Sequence, residues 1–476
     1  MVQLINRFNQ QQECFKMGNP LATEKIGKLM ARFCIPAVIG MVVSALYNFV
    51  DQIFIGHGVG IFGNAATNVE FPINTVAMAM SLLVGIGTAT FYNLSAGKGE
   101  KEKGVRAIGN GMSVVVIIGL IIMAAVLIFL KPLLIALGST EEILPYAVDY
   151  TWIVALGIPA YMLGFAGSHF IRSDGAPTFS MWANISGAIL NLILDPIFIF
   201  VFHWGMKGAA IATVIGQFLS AVLVIFYFSR KSNMKIKKSY LIPDIKLTLR
   251  TMGLGVPASI HNVAIAVTQI VINNVIRKYG ISSIYGVEIP LAVVGITQKI
   301  LQIYTSIYIG IHQGCLPIYG FNYGSKNYER VMKAYNLGIA VVIIIGIIFT
   351  AAFEIFPKQI LSLFGTGSEL YYAYAVRFFR IYMSMTIFVG IFHYTAGFFT
   401  GCGKTIKGLI PPVTKQIVTM IPLALILSIF LGLDGITWTG PISDVIVGIM
   451  AIIFVKLEFT DMKKKIQERD TQRAVQ

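Results

Sequence analysis

Hydrophobic residues in this chain do not alternate with polar ones; they run on. Uncharged stretches such as 108–130, 209–229 and 334–353 each supply the roughly 20 apolar residues needed to cross a hydrocarbon core of about 30 Å. Their length, and the lack of a two-residue period, predict helices and not barrel strands. Twelve spans are expected, at 33–56, 64–94, 105–130, 146–171, 177–202, 207–229, 250–276, 286–316, 331–356, 370–398, 407–431 and 435–457. An even number of spans puts both termini on one side of the bilayer.

Composition agrees with this pattern. Of 476 residues, 56% are hydrophobic and 12% charged, too little charge for a soluble domain of this size. The net charge of +15 raises nucleic acid as a partner, but its distribution excludes it. Lys and Arg gather in the loops of one side: Arg7, Lys16, Lys25, Lys28 and Arg32, then Lys98 to Arg106, Arg172, the run 230–250, Lys326 to Lys333, Lys404, Lys407 and the C-terminal tail. The opposite loops hold only Lys131, Lys207, Arg277, Lys278 and Lys358. That asymmetry predicts cytoplasmic N- and C-termini, with the lipid bilayer as the chain's permanent partner. Cys14, Cys34, Cys315 and Cys402 have neither disulfide-framework nor zinc spacing and read as packing residues. No removable signal peptide is expected.

The basic stretch after Ser229 falls near the midpoint, and the two sides echo each other. Ile35-Pro36 recurs as Val256-Pro257, and Val69-Glu70-Phe71-Pro72 as Val287-Glu288-Ile289-Pro290. Six spans per half enter the membrane in the same direction, so the expected symmetry is a pseudo-two-fold along the membrane normal. The fold class is therefore an all-α polytopic membrane protein with two six-helix lobes around a central cavity. Its parts are an N-terminal segment 1–32, an N-lobe 33–229, a basic linker 230–249, a C-lobe 250–457 and a tail 458–476. It is expected to act as a monomer.

Ionisable groups inside spans are costly and mark function by default. Asp51 ends a polar stripe with Ser44 and Asn48 in the first span, next to Tyr47. The fifth span carries Asn184, Asn191 and Asp195 on one face; the last two are four apart and can share a ligand. The sixth carries Thr213, Gln217 and Ser220. At 1.5 Å rise per residue, Asp51 and Asp195 lie about 22 to 27 Å from the inner helix starts, and Thr213 roughly 9 Å below the outer surface. All three reach one level. Two carboxylates, an amide and a hydroxyl suit a proton or a hard cation such as Na+. The competing reading is that they only satisfy one another in a polar helix contact.

The second half differs. Gln269, Asn273, Gln298, Lys299, Gln302 and Lys415 are candidates for a substrate cavity, while Glu288, Glu354 and Asp444 are possible counter-charges for its cations, including Arg377 and Arg380. Pairing or snorkelling is the competing account of those charges. Neither a P-loop nor HExxH spacing is present, and no nucleophile–base constellation points to an enzyme or to a cofactor.

Three motifs converge on a known family. Arg172-Ser173-Asp174-Gly175-Ala176-Pro177 followed by Asn191-Leu192-Ile193-Leu194-Asp195-Pro196, the segment from Gln313 to Gly324, and Tyr47 to Gly56 together resemble the multidrug and toxic compound extrusion (MATE) transporters, in particular their MepA-like bacterial branch. The likeness runs over roughly 25–457. It implies two six-helix lobes, alternating access, and export of small, often cationic and amphipathic compounds in exchange for protons or sodium ions. It also implies an N-lobe cation site at Asp51, Asn191, Asp195 and Thr213, the same four residues. Where some members carry a C-lobe acid, this chain has Gln269, Asn273, Arg377 and Arg380. Lys299, Arg377 and Lys415 motivate an alternative cargo on the same fold, a lipid-linked or anionic solute.

Overall fold

The computed structural model describes residues 19–363 and 368–475. Arg7, Cys14, Lys16 and the first 18 positions of the expected N-terminal segment lie outside the described residues.

Long helices follow one another in two sets of six. The first set is α1 (Ile26–Gly58), α2 (Ile61–Gly97), α3 (Lys101–Ile128), α4 (Leu144–Ser173), α5 (Pro177–Pro196) and α6 (Gly205–Phe226). The second is α7 (Ile245–Gly280), α8 (Glu288–Gly324), α9 (Tyr328–Ile355), the pair α10 (Glu369–Met383) and α11 (Thr386–Gly401), the pair α12 (Thr405–Val413) and α13 (Ile421–Leu431), and α14 (Leu433–Val475). The α10–α11 pair bends by 44°, and a π-helical stretch, Thr414–Met420, joins α12 to α13. Among the described residues nine helical spans are long and apolar enough to cross a membrane, and the bent pair makes a tenth. The remaining two, α8 and α14, have 37 and 43 residues. Exposed Ile121, Ile128, Ile344 and Phe430 would be anomalous in water and are at home against lipid.

The chain divides into two compact units: Met1–Ser259 with Gln313–Asn327 and Gly401–Gly403, and Ile260–His312 with Tyr328–Thr400 and Lys404–Gln476. In the first, the small and apolar faces of α2, α3 and α4 build one core around Val84, Val115, Ala166 and Phe170, and a smaller one forms around Ile55, Val154 and Ala210. The stretch after Ser229 is pinned down. Asp174, in the turn between α4 and α5, accepts from Tyr227 Oη (2.8 Å), Ser232 Oγ (2.7 Å) and the Asn233 amide (3.0 Å). Glu102 accepts from Lys237 Nζ and Tyr240 Oη, and that hydrogen bond pushes the Lys237 ammonium above its ordinary range. Asp244 then caps the start of α7 through the Leu247 amide and pairs with Arg106 at 3.0 Å. Helical structure resumes at Ile245, inside the stretch expected as linker.

In the second unit the helix that carries the expected last span, 435–457, runs on unbroken to Val475. Glu458 lies on it just past that span. It is fully buried, and both Lys404 (2.6 Å) and Lys407 (2.8 Å) reach it. Farther along, Arg469 pairs with Glu329 at 3.0 Å. Removing a buried acid from beneath two lysines leaves their charges uncompensated, discounted here because both lysines keep some solvent contact. Glu458→Ala is expected to lower stability by about 1–3 kcal/mol, seen as an earlier melting transition of the detergent-purified protein. Glu458→Gln should lose less, since it retains an acceptor; equal melting for all three proteins would remove Glu458 from this role.

Candidate functional site

Local sequence dictates where the first unit's polar groups meet. Pro177 starts α5, where its missing N–H is harmless, and Pro196 ends the regular part, after which the chain passes through a π-helical turn, Ile197–Val201. Asp195 sits at that discontinuity. Between these ends, Gly187 of α5 lies against the main chain of Gly216 of α6, and a Cβ on either would strike the other's carbonyl oxygen. This backbone-to-backbone approach brings the next turn of α5 against the preceding turn of α6. Asn191 and Thr213 are on those turns.

The resulting geometry joins all four residues of the expected cation site. Asn191 Nδ2 donates to Asp195 Oδ1 and to Thr213 Oγ1, both at 3.2 Å. The carboxyl groups of Asp51 and Asp195 lie close enough to act on each other's charge. Asp195 and Asn191 are 0% and 1% exposed. Four oxygens have no hydrogen-bond partner among the described residues despite their burial: Asp51 Oδ1, Asn191 Oδ1, Asp195 Oδ2 and Gln217 Oε1. Acceptors so arranged, with no donor of the protein's own, fit a proton or a small cation better than they fit a purely structural contact.

The supporting residues divide. Tyr47 lies near Thr213, and Gln217 lies one turn further along α6, packed against Gly157 of α4. Asn184 is half-buried two turns before Asn191. Asn48 is exposed, and its amide donates to the Ser44 carbonyl of its own helix at 3.0 Å. A polar stripe fixes which residues share a face, but not which of them meets a neighbour, and Asn48 is the one that does not.

Two residues the sequence reasoning passed over belong here. Glu70 of α2 is buried, and its carboxyl is close enough to Asp51 to feel its charge. Tyr150 of α4 is buried close to Asp51, Glu70 and Thr213. Glu70 had a signal: it is an acid inside a span, and it served above only to mark the repeat. Tyr150 had none.

The six second-unit candidates do not gather into one group. Gln269 donates to Asn273 at 3.0 Å, and Gln298 to Tyr382 Oη at 3.2 Å, while Lys299 and Gln302 are exposed. Lys415 is buried against Asp444 at 2.6 Å, with its ammonium 4.8 Å from the centre of the Phe392 ring and His261 and His393 alongside. Arg377 pairs with Asp434 at 2.9 Å, and Arg380 donates to the main-chain carbonyl of Glu354. Of the expected counter-charges, Asp444 alone pairs as a carboxylate with one of these cations; Asp434 was not foreseen.

Comparison with known proteins follows the same outline. The MatE family model matches residues 36–197 and 257–426. Multidrug export protein MepA of Staphylococcus haemolyticus is 27% identical over 431 residues, covering 90% of this chain and 93% of that protein. The MATE multidrug transporter DinF-BH, solved in complex with rhodamine 6G, superposes with a TM-score of 0.84 at 34% identity, covering 91% of this chain and 96% of that one. An outward-facing multidrug resistance MATE family transporter gives a TM-score of 0.85 at 23% identity over 93% and 98% of the two chains, a likeness of fold.

If the approach of α5 to α6 builds the site, crowding it should be costly. Gly187→Val is expected to destabilise the protein by about 1–3 kcal/mol through overpacking, whereas truncating exposed Ile189 to Ala should leave the melting transition nearly unchanged. Indistinguishable melting of the two variants would contradict the close approach.

Proposed function

The chain belongs to the MatE family of multidrug-export transporters, and from that premise we propose that it is a proton-coupled antiporter that exports amphipathic organic cations. One observation carries the reading: Asp51 and Asp195 lie close enough to act on each other's charge, and Asp51 Oδ1 and Asp195 Oδ2 are buried with no hydrogen-bond partner among the described residues. Two such carboxyl groups are stable together only when a proton or a small cation neutralises one of them, and the proton is the occupant proposed here. Asn191, Thr213 and Tyr47 hold the pair in place, and Glu70 adds a third acid within reach of the same charge.

The cycle follows from differential binding. With the site open to the outside, a proton taken up by the Asp51–Asp195 pair favours the state that releases substrate. Proton loss to the inside restores the state that binds it. The ion must bind the two states unequally, because equal binding shifts nothing. The positive-inside asymmetry supports an inner-membrane orientation with cytoplasmic termini. No protein-bound cofactor enters the cycle.

The anionic or lipid-linked cargo rested on Lys299, Arg377 and Lys415. Lys415 and Arg377 are already neutralised by Asp444 and Asp434. That leaves exposed Lys299 as the remaining motive, and supports the cationic reading.

The rhodamine dye bound in the DinF-BH complex is the natural probe. In proteoliposomes an inward-directed proton gradient should drive export of this dye, and a sodium gradient of equal size should not; sodium-driven export at constant pH would reassign the ion. Asp51→Asn and Asp195→Asn should each abolish gradient-driven export while leaving folded protein in the membrane, and Glu70→Gln should slow it roughly tenfold. Wild-type rates in either Asp variant would refute the site.

A further inference from the structure

We propose that Cys34 and Cys315 are a reversible disulfide modification site, oxidation of which staples α1 to the last turns of α8. The two residues are 281 positions apart, on helices from opposite halves of the sequence, yet their sulfurs lie 3.5 Å from each other in the interior of the first unit. Cys34 is 8% exposed and Cys315 fully buried. Neither is in a disulfide. A disulfide needs a sulfur separation near 2.05 Å and Cα atoms about 4.4–6.8 Å apart, so the sulfurs have about 1.5 Å to travel.

The backbone already permits that approach. Gly314, immediately before Cys315, sits so close to α1 that a Cβ on it would lie 2.6 Å from Cys34 Cα and 2.9 Å from the Cys34 sulfur. No larger residue at 314 would let the helices cross at this distance. The crossing is braced by Arg172 of α4, which is buried, donates to Gln313 Oε1 at 3.1 Å and to Ser180 Oγ at 3.4 Å, and lies close enough to Cys34 to act on its charge. Helix α8 passes from the second unit into the first at Gln313, so a bond at Cys315 holds the part of α8 that belongs with α1.

The chemistry needs a small oxidant that can enter a tight interior, and a peroxide is of that class. The Cys34 sulfur attacks one peroxide oxygen, breaking the O–O bond; the thiol proton leaves with the departing hydroxide, giving the sulfenic acid and one water. Its S–O bond is then broken by the Cys315 sulfur, whose proton leaves with the departing hydroxide as a second water. Two thiols are oxidised, one peroxide is reduced, and a dithiol reductant reverses the bond. With α1 and the last turns of α8 joined inside the first unit, any step of export that needs these two segments to part is blocked. This consequence for transport rests on the function proposed above; the disulfide itself does not.

The test uses the full chain with Cys14→Ser and Cys402→Ser, reconstituted in liposomes and exposed to hydrogen peroxide. Thiols titrated by maleimide after denaturation should fall from two to none, peptide mapping should show the 34–315 link, and dithiothreitol should restore both thiols. Export of the rhodamine dye should fall at least tenfold on oxidation and recover on reduction, and a further Cys34→Ser variant should export at the same rate with and without peroxide. Thiols that stay alkylatable, or that oxidise separately with no linked peptide, overturn the site. A linked protein that exports at its reduced rate overturns the block. Reduced protein that forms the link but never exports the dye indicts the transport reading and leaves the modification site standing.

Discussion

A carboxylate in the bilayer interior persists only where its neighbours do the work of water. Asp195 meets that condition with one amide. Asn191, a turn earlier on the same helix, spends its two donor hydrogens on Asp195 and on Thr213 of the next helix, so a single side chain ties the acid down and links α5 to α6. Much else follows from the need to bring those groups within reach. Gly187 and Gly216 let the two helices touch through their backbones, and Pro196 releases the helix just past the acid. Gly157 makes room for Gln217.

The two units solve the problem of internal charge differently. In the first, acids meet acids, with buried acceptors left over among the described residues. In the second, the cations have partners: Lys415 has Asp444, Arg377 has Asp434, and Glu458 takes Lys404 and Lys407. Of these, Lys415–Asp444 is a buried one-to-one pair, neutral as a whole and costly to break, while Arg377–Asp434 is exposed. The duplication visible in the sequence therefore holds for helices and prolines but not for electrostatics.

How much was legible in the sequence depended on range. Helix number, the Asn191–Asp195 pair and the level of Asp51 and Thr213 follow from run length, four-residue spacing and rise per residue, all properties of a single helix. Asn48 shows the limit: periodicity put it on the stripe, and only the placement of the neighbouring helices shows that it turns back on Ser44. Glu70 was readable as an intramembrane acid, but its partner was not. The Cys34–Cys315 approach and the burial of Glu458 depend on segments far apart in the chain, and no local pattern carries that information. The continuation of the last helix past the expected span 435–457 was not legible for the same reason: charge reads as solvent exposure until its counter-charges are in view.

The length of α14 bears on how the protein can be handled. Its 43 residues extend about 65 Å at the usual rise, roughly twice the hydrocarbon thickness. The distal half stays helical and is fastened by Glu458 and Arg469 to the rest of its own unit. A fluorophore or fusion joined after Val475 would thus sit at the end of a rigid arm, not on a slack tether. The terminus becomes a lever whose angle reports the posture of the second unit, and an unwise place for a bulky tag.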